Sequence, residues 1–205
     1  MKKGNDAPKE KQGALYDIYS LLHDLVYILA AITLIFVFFV RLVGVNGDSM
    51  LPTLHDGDYL ALQSNVLMGD LEYGDIIVAR KLSFENGEPI VKRVIATEGQ
   101  TVDIRFDEQG IGTVYVDGMP LDEPYIREEM VVYYNGSSAT QLPLTVEENC
   151  IFVMGDNRNH SSDSRFIQIG QIHLDQVLGK VLYIVFPGAD PLTKERDYSR
   201  IGVVE

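Results

Sequence analysis

The sequence predicts a mainly β protein that carries a single N-terminal transmembrane helix ahead of an all-β domain. A long apolar stretch near the N-terminus contains almost no charge. The chain after it consists of short runs rich in Val, Ile, Tyr and Thr, separated by Asp-Gly, Tyr-Gly, Asn-Gly and Pro-Gly pairs, a pattern typical of strands joined by turns. Hydrophobic residues make up 46% of the 205 residues, which is enough for one domain core and an appendage.

The predicted transmembrane helix covers residues 25–45. No charge occurs from Leu25 to Val40, and after Arg41 the chain stays apolar through Val45. At roughly 1.5 Å per residue this helix would be about 31 Å long, enough to cross a hydrocarbon core of about 30 Å. Residues 1–24 are interpreted as a tail and an interfacial lead-in helix. A buried core helix is disfavoured by apolar residues on every face, and a cleaved signal peptide by the length of the run.

The basic residues around this helix predict its orientation. Four lysines precede it, and after Arg41 the next basic residue is Arg80. Because basic flanks stay in the cytoplasm, we expect a cytoplasmic N-terminus and an extracytoplasmic domain over residues 46–205. That domain carries 12 basic and 26 acidic side chains. The implied location is the cell membrane, with the lipid bilayer as a partner of the helix.

Seven longer strands are predicted in the outward domain. They cover residues 59–63, 75–81, 90–97, 101–106, 113–116, 150–154 and 179–186. Asp117-Gly118 predicts a tight hairpin turn after one of them. The stretch 171–177 is the one candidate for a helix, and the polar residues from Asp190 onward are expected to fray.

Composition excludes several classes of function. The formal charge of -13 and the isoelectric point near 4.6 argue against nucleic acid as a partner, since phosphate binding needs clustered Lys and Arg. Cys150 is the single cysteine, so it is interpreted as a core thiol. The four histidines lack the spacing of metal ligands, and we predict neither a metal nor another cofactor.

Three polar segments are the candidates for chemistry. The first, residues 47–54 (GDSMLPTL), presents Ser49 in a turn; the second, residues 89–96 (PIVKRVIA), places Lys92 in an apolar strand; the third, residues 154–165, reads MGDNRNHSSDSR. Taken alone, each has an ordinary interpretation: a loop serine, a lysine that protects an edge strand, and a polar turn with a surface Asp-Arg pair.

In this order and behind a membrane anchor, the three segments resemble the boxes of bacterial type I signal peptidases, which are Ser-Lys proteases. The resemblance extends from the anchor to about Pro187. Within the family, the chain is similar to the compact Gram-positive form. It implies that Ser49 is the nucleophile and Lys92 its general base. It also implies that Ser161 orients the lysine and that Asp163 and Arg165 form a supporting salt bridge.

The resemblance further implies that the substrates are exported preproteins, cut after small residues at the first and third positions before the bond. We expect the shallow substrate pockets to be lined by apolar side chains, namely Val45, Met50, Leu54, Ile90 and Val91. Gly47 stands where some family members have a serine that binds the oxyanion, so backbone N–H groups of the turn from Gly47 to Ser49 are expected to serve instead. Burial lowers the pKa of a lysine from about 10.4 by disfavouring the ammonium, and this would allow Lys92 to act as a base.

Three other interpretations compete with this one. A soluble Ser-Lys autoprotease would share the β fold, but the anchor and the third segment count against it. A tethered β domain that binds exported chains without cutting them would not need Ser49, Lys92 and Ser161 together. A hydrolase based on His160 is disfavoured because a histidine in a polar turn is usually solvent-exposed.

Overall fold

The computed structural model describes residues 9–38, 40–65, 67–131, 136–190 and 193–204. The chain divides into two compact units, Met1–Val40 and Arg41–Glu205. The sequence predicted a boundary after residue 45, so the second unit begins earlier than expected.

The first unit consists of helix α1, Lys9–Phe38. Within it, Leu15–Leu34 is long and apolar enough to cross a membrane, and none of this stretch is buried inside the protein. Large apolar side chains such as Leu15, Tyr19 and Leu29 are more than half exposed. A helix that is apolar on all sides and uncovered by protein is suited to a lipid environment.

The predicted helix bounds 25–45 are wrong at their C-terminal end. Helix α1 ends at Phe38, and strand β1 covers Val40–Gly44. The β-branched residues Val43 and Val45 belong to the domain core instead of the bilayer: Val45 is buried in an apolar cluster and Val43 packs against that cluster. The apolar run thus serves two structures in succession, which periodicity alone could not separate.

The larger of two sheets in the second unit forms the frame of the domain. Besides β1, its strands are β2 Tyr59–Ser64, β3 Ile76–Arg80, β4 Pro89–Thr97, β9 Cys150–Met154, β10 Ile172–His173, β11 Val177–Phe186 and β12 Gly202–Val203. The strand order is β1-β2-β11-β3-β4-β9-β10, with β12 paired to β11. The pairs from β2 to β10 are antiparallel.

The smaller sheet consists of β5 Thr101–Phe106, β6 Gly112–Val116, β7 Met119–Pro120 and β8 Leu144–Thr145. Its strand order is β7-β6-β5-β8. Asp117 and Gly118 both have positive φ, 52° and 80°, which is the geometry of the two-residue hairpin turn predicted for this pair. Another apolar cluster joins this sheet to β9 through buried residues that include Val102, Val114 and Phe152.

The seven predicted strands are all present, with ends that differ by two residues or fewer. The helix considered for residues 171–177 is wrong, because β10 is followed there by the 3₁₀ turn Leu174–Gln176. The prediction of a frayed C-terminal segment is also wrong for its described part, since Tyr198–Arg200 forms a 3₁₀ turn and β12 pairs with β11. Further 3₁₀ turns are Glu85–Gly87, Gly136–Ser138 and Arg158–His160.

Candidate active site

The structure brings Ser49 and Lys92 together. Lys92 Nζ lies 2.7 Å from Ser49 Oγ, although 43 positions separate the two residues in the sequence. The same amine donates a hydrogen bond of 2.8 Å to the carbonyl of Val91. Lys92 is only 3% exposed, whereas Ser49 is half-buried. A hydroxyl that a ligand can reach therefore contacts an amine that is shielded from water.

Lys92 owes its position to a central strand. Strand β4 is paired with β3 on one side, where Lys92 lies opposite Ile77, and with β9 on the other, where Arg93 lies opposite Met154. Val91 faces one apolar cluster, while Ile90 and Val94 belong to a second. The lysine is therefore a buried amine and does not protect an edge strand.

Ser49 lies in the nucleophile loop, which we define as residues 45–58 between β1 and β2. The ends of this loop are joined by two backbone hydrogen bonds, from Val45 N to the Asp58 carbonyl (2.8 Å) and from Gly57 N to the Val45 carbonyl (3.0 Å). Met50 and Leu54 anchor its middle in the core, and a backbone bond of 2.9 Å connects them. The loop is thus closed at its neck and pinned by its apolar residues.

Gly47 does not match its expected role in binding an oxyanion. Its N–H donates to Asp56 Oδ1 at 2.8 Å, so this donor is already engaged inside the loop. Gly47 has φ of +90°, a conformation that L side chains rarely adopt. The glycine therefore shapes the turn, and the N–H of Ser49 is left as the donor named in the prediction.

The third segment holds the nucleophile loop from the other side. Asn157 N donates to the Ser49 carbonyl and Asn157 Nδ2 to the Asp48 carbonyl, both at 3.0 Å. Gly155 packs so closely that a Cβ added to it would overlap with the Ser49 carbonyl oxygen and with Ser161 Oγ. Ser161 is buried, and its side chain helps to hold the pKa of Asp163 below its usual value. Its expected contact with Lys92 stays a prediction.

Two ion pairs behind the site are almost completely buried. Arg165 contacts both carboxylate oxygens of Asp163 at 2.8 Å, and Arg93 contacts those of Asp156 at 2.9 and 2.8 Å. Burial by itself would raise the pKa of Asp163, but Arg165 and the Gly155 N–H hold that pKa below its usual value. The Asp-Arg pairs of this segment are therefore internal supports and not surface pairs.

Several residues of this support were missed in the sequence. Arg158 is a fully buried cation whose guanidinium makes two bonds of 2.7 Å to Glu123, and its Nε donates to the Gly155 carbonyl at 3.0 Å. The ring of Tyr125 lies 4.0 Å from the Arg93 guanidinium. The arginines lie within the boxes and could have been identified, but Glu123 and Tyr125 come from a connecting stretch without a recognisable pattern.

A cleft of about 360 Å³ opens beside the serine and the lysine. Of the predicted substrate-contacting residues, Val45, Met50, Ile90 and Val91 line it. Leu54 does not: it is completely buried in the core cluster that also contains Val45 and Met50, so its assignment to a substrate pocket is wrong. The residues that bound the rest of the cleft include Phe84, Glu88 and His160.

A serine hydroxyl in hydrogen-bond contact with a buried lysine amine, next to an open cleft, is the arrangement of the Ser-Lys class of hydrolases. The family model described as signal peptidase, peptidase S26, matches residues 18–186. The chain belongs to this family. As a member it is a serine protease that removes signal peptides from exported preproteins, and its family is associated with membranes.

Similar proteins come from several bacteria. The chain is 36% identical to signal peptidase I T of Bacillus subtilis over 154 residues, which are 70% of this chain and 72% of the relative. It is 32% identical to signal peptidase IB of Staphylococcus aureus over 184 residues, covering 82% and 90% of the two chains. A crystal structure of a signal peptidase I from Enterococcus faecalis is 31% identical, covers 55% of this chain and 97% of its own, and has a TM-score of 0.41.

Proposed function

We propose that Ser49 is the nucleophile and Lys92 the general base of this signal peptidase. The observation that carries the assignment is the distance of 2.7 Å between Lys92 Nζ and Ser49 Oγ, at a lysine that is 3% exposed. Burial disfavours the ammonium form of a lysine, and a neutral amine at hydrogen-bond distance can accept the hydroxyl proton. Ser161 and the Asp163–Arg165 pair would support the amine and the loop around it.

The reaction then follows two steps of acyl transfer. Ser49 Oγ attacks the carbonyl carbon of the scissile peptide bond while its proton moves to Lys92 Nζ, and the C–N bond breaks as the departing amine takes that proton. Water next attacks the acyl-enzyme ester, Lys92 accepts a proton from it, and Ser49 is released with its own proton restored. The Ser49 N–H is the proposed donor to the oxyanion in both steps, a contribution of about 3 to 4 kcal/mol in other proteases.

The cleft favours small side chains next to the bond that is cut. Its apolar walls, Val45, Met50, Ile90 and Val91, are each at least 92% buried, so they are held by the core and cannot move aside cheaply. An alanine fits against such walls, whereas a larger side chain would have to displace them. This supports cleavage after small residues at the first and third positions before the bond.

The proposed location is the cell membrane, with helix α1 in the bilayer, the N-terminus in the cytoplasm and the β domain outside. The support is the basic bias ahead of the apolar stretch Leu15–Leu34 of this helix, where Lys2, Lys3, Lys9 and Lys11 lie. Protease protection in spheroplasts tests this orientation. External protease should remove the β domain and leave the N-terminal tail intact, and the opposite pattern would reverse the topology.

The decisive experiment measures cleavage of a purified preprotein in detergent micelles by the wild type, Ser49→Ala and Lys92→Ala. Both substitutions should reduce kcat by at least about 1,000-fold, while a chelator has no effect. Ser162→Ala is a matched control, because Ser162 lies in the same cleft but has no proposed role in the chemistry. Full activity of Lys92→Ala would show that another group is the base.

A further inference from the structure

The C-terminal segment, residues 193–204, lies beyond the part of the chain that matches the family model. The sequence predicted that it would fray, yet it returns to the large sheet. Gly202 and Val203 pair with Ile184 and Tyr183 of β11, and the ring of Tyr198 lies 6.0 Å from that of Phe186. The segment is therefore a fixed part of the domain.

Arg200 is the residue through which this segment reaches the nucleophile loop. Its guanidinium contacts both carboxylate oxygens of Asp58, at 2.9 and 2.7 Å, and donates to the Thr53 carbonyl at 3.3 Å. The Arg200 side chain is 17% exposed and that of Asp58 is fully buried. A bidentate pair of this kind fixes orientation as well as distance.

Asp58 closes the neck of the loop. Besides Arg200, its carboxylate accepts hydrogen bonds from His55 N at 2.8 Å and from Gly188 N at 2.7 Å, and its backbone carbonyl accepts the bond from Val45 N. Burial alone would raise the pKa of Asp58, but these donors together hold that pKa below its usual value. Asp58 is thus a charged group at the point where the loop begins and ends.

Thr53 connects the same arginine with the lysine side of the site. While its carbonyl accepts from Arg200, its hydroxyl donates to Asp156 Oδ2 at 2.5 Å. Asp156 in turn is paired with Arg93, the neighbour of Lys92 in strand β4. One continuous set of polar contacts therefore runs from Arg200 to the nucleophile loop, which carries Ser49, and to strand β4, which carries Lys92.

We infer that Arg200 is a positioning residue for proteolysis: its hydrogen bonds to Asp58 and Thr53 hold the nucleophile loop in the position that keeps Ser49 in contact with Lys92. The inference rests on the proposed roles of these two residues. Arg200 is not expected to touch the substrate, because its contacts lie at Thr53 and Asp58 and it is not among the residues that line the cleft. Its removal should therefore slow the chemical step without weakening substrate binding.

The test compares preprotein cleavage in micelles by the whole chain carrying Arg200→Ala, Arg200→Lys or the double change Asp58→Asn with Arg200→Ala. Arg196→Ala is the matched control, since Arg196 belongs to the same segment but contacts the Pro187 carbonyl and the Phe186 ring instead of the loop. For each protein kcat, KM and the midpoint of thermal unfolding are measured.

Arg200→Ala should lower kcat by about 10- to 100-fold with KM unchanged, as expected for a displacement of about 1 Å at a reacting group. Arg200→Lys, which keeps the charge but not the paired bonds, should lie between it and the wild type. The double change removes the buried unpaired carboxylate, so the unfolding midpoint should recover while kcat stays low. Arg196→Ala should retain the kcat of the wild type.

Two outcomes would overturn the inference. In one, kcat recovers together with the unfolding midpoint in the double change, which would give Arg200 a role in stability alone. In the other, Arg200→Ala and Arg196→Ala lose activity equally, which would show that docking of the C-terminal segment matters and that the bonds from Arg200 to the nucleophile loop do not. Ser49→Ala and Lys92→Ala are assayed alongside, and activity in either of them would count against the dyad, whatever Arg200 does.

Discussion

At the scale of single residues, the close packing around Ser49 involves a residue that has no side chain. Gly155 fits between the Ser49 carbonyl and the Ser161 hydroxyl, where a Cβ would overlap with both. Its N–H donates to Asp163 and its carbonyl accepts from Arg158. One glycine therefore links the loop of the serine to two buried charges.

We expect Gly155→Ala to abolish most of the activity, with kcat reduced at least about 100-fold, because the added methyl group must push Ser49 or Ser161 out of place. Gly69→Ala is a suitable control, since a Cβ there meets nothing within 4 Å and no positive φ is required. Preprotein cleavage is the measurement. An active Gly155→Ala protein would show that the two serines can shift without consequence for the reaction.

The carboxylate of Asp163 makes the free energy of unfolding depend on pH. Its pKa is lower in the folded protein than in the unfolded chain, so its stabilising contribution is fully present above the unfolded value of about 3.9. That contribution is lost as the pH falls below this value and through the lower folded pKa, because the unfolded state then binds more protons.

Asp163→Asn should therefore destabilise the protein at pH 7 by about 3 to 5 kcal/mol, since it leaves the buried Arg165 cation without a counterion. The difference in the free energy of unfolding between this variant and the wild type should shrink as the pH is lowered from 5 to 3, because the wild type then loses the contribution of its ionised Asp163. Denaturant unfolding in micelles at several pH values measures both free energies. A difference that does not vary with pH would contradict this assignment.

At the scale of elements, the stretch that connects β7 to β8 of the smaller sheet has a larger role than its sequence suggests. Glu123 pairs with Arg158 of the third segment, and Tyr125 packs on Arg93 of strand β4 and hydrogen-bonds to Tyr73. Arg158 is therefore neutralised, and Arg93 is covered, by residues that lie outside the three polar segments recognised in the sequence. The stretch acts as a brace between β4 and the third segment.

Glu123→Gln should reduce the free energy of unfolding by about 3 to 5 kcal/mol, because Arg158 would be left as a buried charge without its carboxylate. The double change with Arg158→Met should recover much of this loss, since it removes the unpaired cation as well. Glu129→Gln, at an exposed position of the same stretch, should cost less than about 1 kcal/mol. Equal losses in Glu123→Gln and Glu129→Gln would argue against the brace.

An element could be predicted from the sequence when the pattern that marks it is local. Strands such as Thr101–Phe106 and Cys150–Met154 were predicted with their observed bounds because β-branched runs and glycine turns mark them directly. The proximity of Ser49 and Lys92 followed from resemblance and could not follow from periodicity. Glu123 and Arg200 could not be predicted at all, since each acts through a partner far away in the sequence.

At the scale of the whole molecule, the boundary between helix and sheet changes how the chain can be divided. The apolar run from Leu25 to Val45 looked like one membrane element, yet its last part is the edge strand β1, which pairs with β2. The last part of the predicted anchor is therefore the first strand of the enzyme domain.

A protein that lacks residues 1–38 should fold and should cleave a short peptide substrate at a rate within about threefold of the whole chain, because every strand of the domain is retained. Deletion of residues 1–45 removes β1 and the Val45 end of the nucleophile loop, and should reduce this activity by at least about 100-fold. Circular dichroism and peptide cleavage measure the two proteins. Equal activities would show that β1 is dispensable.

The way the nucleophile loop is held also has a consequence for the order of events during synthesis. Ser49 is among the first residues to emerge behind the helix, but the bonds from Asn157 to Asp48 and from Arg200 to Thr53 span 109 and 147 positions. Contacts of such separation form only after the later residues have been made and delivered. We therefore expect a nascent chain to expose Ser49 long before the loop around it is held in place, and to reach full proteolytic activity only after translation has passed residue 200.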